Sequence, residues 1–246
     1  MRQIVTIGGG FAPDGRGGYR RGPLMDFLFG LAPPAPRVCL LNTATGDDPR
    51  YYTVMYAGLG GSGAQVSHLA LFPMPSRDPA RAIEDADVVV VGGGSVANLA
   101  AVWRVHGLDA IFGAAWERGT ILAGMSAGAI CWHAGGTTDS FGPELRCFAD
   151  GLGLLPHSHC PHYDTEPTRR PAYQRLVGDG SLPAGWAADD GVALHFVDTE
   201  LTDVVADRAG ARAFRVEAVD GRAVETEIVP RLLSEGSTFT DPSQTA

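Results

Sequence analysis

Several short β-branched or aliphatic runs, most of them closed by glycine or a small polar residue, constrain this chain more than any other feature. They are QIVTI (3–7), RVCLL (37–41), QVSHLAL (65–71), DVVVV (87–91) and TILAG (120–124). A strand with one face in water alternates apolar and polar residues, whereas a strand apolar on both faces belongs in a parallel sheet covered by helices on both sides. The stretches between the runs, at about 19–31, 49–60, 78–84, 97–104 and 108–117, suit crossover helices. This alternation predicts an α/β fold with a largely parallel, Rossmann-like central sheet flanked by helices.

After residue 150 the texture changes to VALHFV (192–197), TDVVAD (202–207), ARAFRVEAV (211–219) and AVETEIV (223–229). These runs alternate in part and are separated by turn residues, so they predict short extra strands that extend the same sheet in mixed or antiparallel fashion. One domain is expected over 1–233, with a polar, frayed tail over 234–246.

Composition narrows the function classes. A chain of 246 residues with 45% hydrophobic and 19% charged residues can bury a core without staples. A net charge of −9 opposes phosphate-backbone binding, which depends on clustered Lys and Arg, so no nucleic-acid partner is expected. The start, MRQIVTIGGG, runs from one arginine into a strand without an apolar signal region, and no later run is long enough to span a bilayer; a cytoplasmic protein with no membrane partner is expected. Cys39, Cys131, Cys147 and Cys160 form no CxxC pair and read as thiols rather than disulfides.

Two glycine runs, IGGG (7–10) and VGGGSVANL (91–99), each follow a strand and precede a helix-like segment. Such runs let backbone N–H groups face a ligand. The dinucleotide fingerprint is incomplete because Pro13 stands where its third small residue belongs, and neither run has the Gly-Lys-Ser/Thr of a P-loop. Both therefore read as tight turns, with Gly92 to Gly94 also able to supply oxyanion donors.

Gly124-Met125-Ser126-Ala127-Gly128 fits G-x-S-x-G after the strand TILAG, and AGAICWHA beyond it is helix-compatible. A nucleophile elbow needs small neighbours so that a strained turn can expose the hydroxyl. Small-residue packing accounts for the same pattern, and a serine also needs a base and an orienting carboxylate. His157, His159 and His162 crowd into one segment, with Cys160 among them, and could supply a base or zinc ligands, although their spacing matches no common zinc signature. His68, His106, His133 and His195 read as satisfied or surface histidines. Asp139, Asp164, Glu166, Asp189 and Asp190 are the acids that could orient a base, and spacing alone does not choose among them.

VGGGSVANL, GMSAGAICW (124–132), GLGLLPHSHCPHYD (151–164) and DDGVALHF (189–196) occur in that order. In this order they resemble the motifs of the peptidase E family of aspartyl dipeptidases and its relatives, the cyanophycinases, over approximately residues 1–230. The resemblance implies an α/β sandwich related to class I glutamine amidotransferases and a Ser-His-Glu/Asp triad. It implies Ser126 as nucleophile, His162 of PHYD as base with His159 behind it, and Asp190 as the acid with Asp189 its rival. It further implies the N–H groups of Gly93 and Ala127 as oxyanion hole, Asp139 as a second-rank acid with a supporting role, and Arg169, Arg170 and Arg175 as candidates for binding substrate. A serine peptidase acting on short peptides follows, with Asp-X dipeptides as candidate substrates, a homodimer, and neither cofactor nor metal. The order Ser, His, Asp differs from the Ser, Asp, His of α/β-hydrolases. The alternatives are a cyanophycinase-like or other amide hydrolase of the same fold, a non-catalytic nucleotide- or metabolite-binding protein, and a metal-dependent hydrolase built on His157, His159 and His162.

Overall fold

A computed structural model describes residues 1–9, 12–13 and 19–234. Gly10 of the first glycine run and the tail from residue 235 lie outside the described residues. The chain forms an α/β fold built on two mixed sheets. The larger has eight strands, in the order Arg231–Leu232, Glu200–Ala206, Val192–Val197, Gln3–Ile7, Ile121–Met125, Val88–Val91, Arg37–Leu41 and Gln65–His68. From Gln3–Ile7 to Gln65–His68 neighbouring strands run parallel, and Val192–Val197 joins antiparallel.

The doubly apolar runs are explained by where their residues go. Val89, Val91, Cys39 and Leu41 enter the core on one face, and Val88, Val90, Val38 and Leu40 enter the core on the other. Helices Pro23–Gly30 and Pro49–Leu59 cover the second of these faces. Helices Pro79–Glu84, Val96–Val105 and Leu108–Arg118 cover the first, together with the smaller sheet.

That smaller sheet has six strands, in the order Arg222–Ile228, Ala213–Val219, Gly185–Ala188, Leu155–Cys160, His133–Thr138 and Arg146–Phe148. It departs from the single extended sheet expected from the sequence: the runs after residue 190 divide between the two sheets. The helix over AGAICWHA is also shorter than expected, since it stops at Ile130 and His133 opens a strand. That strand packs by close backbone approach. A Cβ on Gly135 would lie 2.1 Å from the Phe148 carbonyl oxygen, and one on Gly136 would lie 2.2 Å from that of His159. Helix Arg169–Gly178 covers the far side of this sheet.

Register decides where the loops emerge. Ile7 is level with Met125, Val91 with Gly124, and Leu41 with Val91, so these parallel strands end at one edge. In the smaller sheet Cys160 is level with Ala187, and the two strands end together. The carboxyl edge of a parallel sheet is where α/β folds bind ligands. All four cysteines are free. Among the described residues no helix is long and apolar enough to cross a membrane.

Candidate active site

Ser126 follows the last residue of strand Ile121–Met125 and adopts φ 55° and ψ −115°. A non-glycine residue in such a conformation stores roughly 1–3 kcal/mol, which the surrounding structure must impose. Here the N–H of Ser126 donates to the Ile7 carbonyl at 3.2 Å. A Cβ on Gly124 would sit 1.8 Å from the Gly128 carbonyl oxygen, and one on Gly128 would sit 2.3 Å from that of Val91. Both positions therefore exclude any side chain, and the turn that lifts Ser126 is fixed by contact.

The second glycine run stands beside the serine. A Cβ built on Gly93 would lie 3.2 Å from the Ser126 Cβ and 3.8 Å from its Oγ. Gly92 N–H donates to Leu41 and Ser95 N–H to Ala44, both at 2.9 Å, whereas Gly93 N–H has no backbone partner among the described residues. Ala127 opens the helix Ala127–Ile130, where a backbone N–H has no acceptor within the helix.

His162 and the acidic pair arrive from the smaller sheet. His162, at φ 57°, follows strand Leu155–Cys160, and Asp189 and Asp190 follow strand Gly185–Ala188. Tyr163 N–H donates to the Ala188 carbonyl at 3.1 Å, and Gly8 N–H to that of Val192 at 2.9 Å. The first bond ties the His162 loop to the strand that ends at the acidic pair, and the second holds the strand that follows that pair against the end of Gln3–Ile7. His162 Nδ1 and Asp190 Oδ1 are 2.5 Å apart, and Thr165 Oγ1 donates to Asp190 Oδ2 at 3.0 Å. Burial opposes ionisation of Asp190, yet the hydrogen bond and charge of His162, the Thr165 hydroxyl and the Arg208 charge outweigh it, leaving the carboxyl below its ordinary value.

Asp189 turns the other way. Its Oδ2 accepts from Arg212 N–H at 2.8 Å, and burial raises its pKa despite that bond. The other histidines of the segment are occupied elsewhere. His157 Nε2 lies 3.2 Å from the Thr199 carbonyl oxygen, and His159 Nδ1 lies 3.1 Å from that of Trp186. His159 is fully buried and stacks on His133 with ring centroids 4.8 Å apart. Among the described residues no group of three or more His, Cys, Asp or Glu is arranged to hold a metal ion.

Asp139 is exposed just beyond strand His133–Thr138, and no hydrogen bond joins it to His162 or Asp190 among the described residues. The candidate substrate arginines are all paired within the chain. Arg169, with its side chain 4% exposed, donates to Glu166 Oε2 at 2.5 Å and to the Thr137 carbonyl at 3.2 Å. Arg170 pairs with Glu225 at 2.5 Å, and Arg175 with Asp179 at 3.7 Å.

Sequence reasoning missed Gly9, Thr165 and Arg208. A Cβ on Gly9 would lie 3.0 Å from Asp190 Oδ1. Arg208 donates to the Asp190 carbonyl through Nη2 at 2.9 Å. No motif marks these residues; only the closeness of Gly8 and Gly9 to a strand end hinted at the first.

Known proteins give the site its context. Residues 20–204 match peptidase family S51. The chain is 40% identical over 238 residues to the uncharacterized peptidase YgaJ of Bacillus subtilis, covering 95% of this chain and 100% of that protein. It is 42% identical over 88 residues to peptidase E of Citrobacter koseri, a match to 35% of this chain and 38% of that one. Among solved structures, a peptidase from an acI-B1 actinobacterium superposes with a TM-score of 0.68 at 16% identity, covering 94% of this chain and 95% of that one. A putative peptidase E from Listeria monocytogenes EGD-e gives a TM-score of 0.55 at 14% identity, covering 93% and 100%. These two likenesses concern the fold, whereas the family match and the full-length relative concern descent: the chain belongs to peptidase family S51.

Proposed function

We propose that the chain is a serine peptidase that hydrolyses short peptides through Ser126, His162 and Asp190. The observation that carries the reading is the 2.5 Å contact between His162 Nδ1 and Asp190 Oδ1 at the edge where the strained Ser126 stands. With Nδ1–H donated to Asp190, the Nε2 lone pair is free to take the Ser126 proton. Ser126 Oγ attacks the scissile carbonyl carbon, and its proton passes to His162. The negative oxygen is met by the N–H groups of Gly93 and Ala127. His162 then protonates the leaving amine as the C–N bond breaks, and water, deprotonated by the same imidazole, releases the acyl group from Ser126.

Substrate choice follows from charge. If Arg169, Arg170 or Arg175 bound an acidic N-terminal residue, as in Asp-X, its guanidinium would have to leave Glu166, Glu225 or Asp179. Breaking such a pair where one partner is buried leaves an uncompensated charge, and this disfavours Arg169 most. The pairing supports a preference for neutral N-terminal residues. In a panel of X-Ala dipeptides, neutral X should be cleaved faster than Asp, and an Asp-Ala maximum would show that one arginine changes partner. Ser126→Ala should abolish dipeptide and aryl-amide hydrolysis in purified protein, and intact hydrolysis would sink the assignment.

A further inference from the structure

The Asp190 carboxylate is useful to His162 only if its backbone is held still, and two charged side chains outside the proposed triad grip that backbone from both ends. On one side Asp164 Oδ1 accepts the Asp190 N–H at 2.9 Å. On the other, Arg208 donates to the Asp190 carbonyl through Nη2 at 2.9 Å and Nε at 3.3 Å. The two side chains then close on each other, with Arg208 Nη2 bonded to Asp164 Oδ2. The result is a ring of hydrogen bonds through the Asp190 main chain.

Asp164 lies two residues after His162 in sequence, so one clamp arm comes from the base's own loop. Arg208 comes from beyond strand Glu200–Ala206 in the larger sheet. That segment is itself docked on the acid's turn: Asp207 N–H donates to the Gly191 carbonyl at 3.0 Å. Gly191 has φ +78°, and a Cβ there would lie 2.5 Å from Asp207 Oδ1. The clamp therefore ties His162's loop, the acid's turn and the larger sheet at one point.

The ion pair itself is partly exposed, with side chains 49% and 27% accessible, and such pairs contribute little to global stability. Their contribution lies in geometry, because a reacting constellation loosened by about 1 Å can lose on the order of a hundredfold in rate.

We propose that Asp164 and Arg208 are positioning residues for the reaction, fixing the Asp190 main chain so that its carboxylate keeps His162 oriented. The proposal rests on the triad reading. Its test uses the full chain carrying Arg208→Gln or Asp164→Ala, each alone and combined with Asp190→Asn. Active sites are counted by fluorophosphonate burst labelling, and kcat and KM are measured on an aryl amide.

Each single variant should keep its melting temperature to within a few degrees and its KM to within about twofold, while kcat falls about tenfold or more. In the Asp190→Asn background neither change should lower kcat further, because the residue they position no longer acts. A wild-type kcat in both single variants would overturn the clamp, as would an equal loss of kcat with and without Asp190→Asn. If Asp190→Asn itself left the rate intact, the triad reading would fail, and that result is distinct from inert clamp variants beside a damaging Asp190→Asn.

Discussion

At the scale of single residues, the site depends on which way neighbouring side chains turn. Asp189 and Asp190 are adjacent, yet one carboxylate is spent on the Arg212 N–H and the other meets His162. Asp190→Asn should lower kcat by on the order of 10⁴, by leaving the wrong imidazole tautomer in place; Asp189→Asn, measured on the same aryl amide, should cost far less. Gly9 makes a finer test. It lies within the range of φ open to any residue, but a Cβ there would come 3.0 Å from Asp190 Oδ1 and 3.2 Å from its Cγ. That carboxylate is held by His162 and Thr165 and cannot retreat without breaking a bond. Gly9→Ala should therefore lower kcat about tenfold with the fold retained, by displacing the acid rather than the backbone. At this scale the tight turn at Ser126 was legible, because it imposes small neighbours that the sequence displays. The choice of Asp190 over Asp189 needed the family resemblance. Thr165 and Arg208 were not legible, because they reach Asp190 across 25 and 18 positions of chain with no motif at either end.

At the scale of elements, strand ends carry the argument. The doubly apolar runs predicted the core of the larger sheet to within a residue or two at most ends, since burial on both faces leaves no freedom in composition. The smaller sheet was harder to read. HAGGTT, RCF, LPHSHC and GWAA are short, all but RCF contain Gly, Pro or His, and none shows the alternation or the long aliphatic run of the larger sheet's strands. Their glycines are there for backbone contact between strands, a constraint that becomes visible only once the strands are paired. The elbow makes the same point in energetic terms. Gly124→Ala and Gly128→Ala each place a methyl group inside a carbonyl's van der Waals radius, against main chain that cannot move aside. Either should destabilise the fold by about 3 kcal/mol or more, read as a drop in the urea midpoint, whereas Gly113→Ala, with no atom within 4 Å of the built Cβ, should not.

At the scale of the whole molecule, the interface between the two sheets holds an acid-sensitive element. His133 and His159 stack there, and Nε2 of His159 has no hydrogen-bond partner among the described residues. Burial pushes both pKa values down, His159 to about 3, with the charges of His162 and Arg169 acting in the same direction on His159 and those of His157 and His159 on His133. Both rings are neutral in the folded chain, whereas in the unfolded chain they take up protons near pH ~6.5. Between that pH and the folded value the unfolded state binds more protons, so stability falls as pH drops, by up to about 1.4 kcal/mol per pH unit for each ring. The urea midpoint should fall clearly between about pH 7 and pH 5, and His133→Phe should flatten that fall. An unchanged slope in the variant would place the acid sensitivity elsewhere.

The account of the whole molecule comes together at one oxygen atom. On the proposed reading, the glycine run beside Ser126, its strained turn and the His162–Asp190 contact serve to activate Ser126 Oγ. Labelling with a fluorophosphonate, followed by digestion and mass spectrometry of the adduct, tests this most directly. The account predicts one adduct per chain, on Ser126, formed in the wild-type protein and lost in His162→Ala. Labelling that is absent, that falls on another residue, or that persists undiminished in His162→Ala would contradict it.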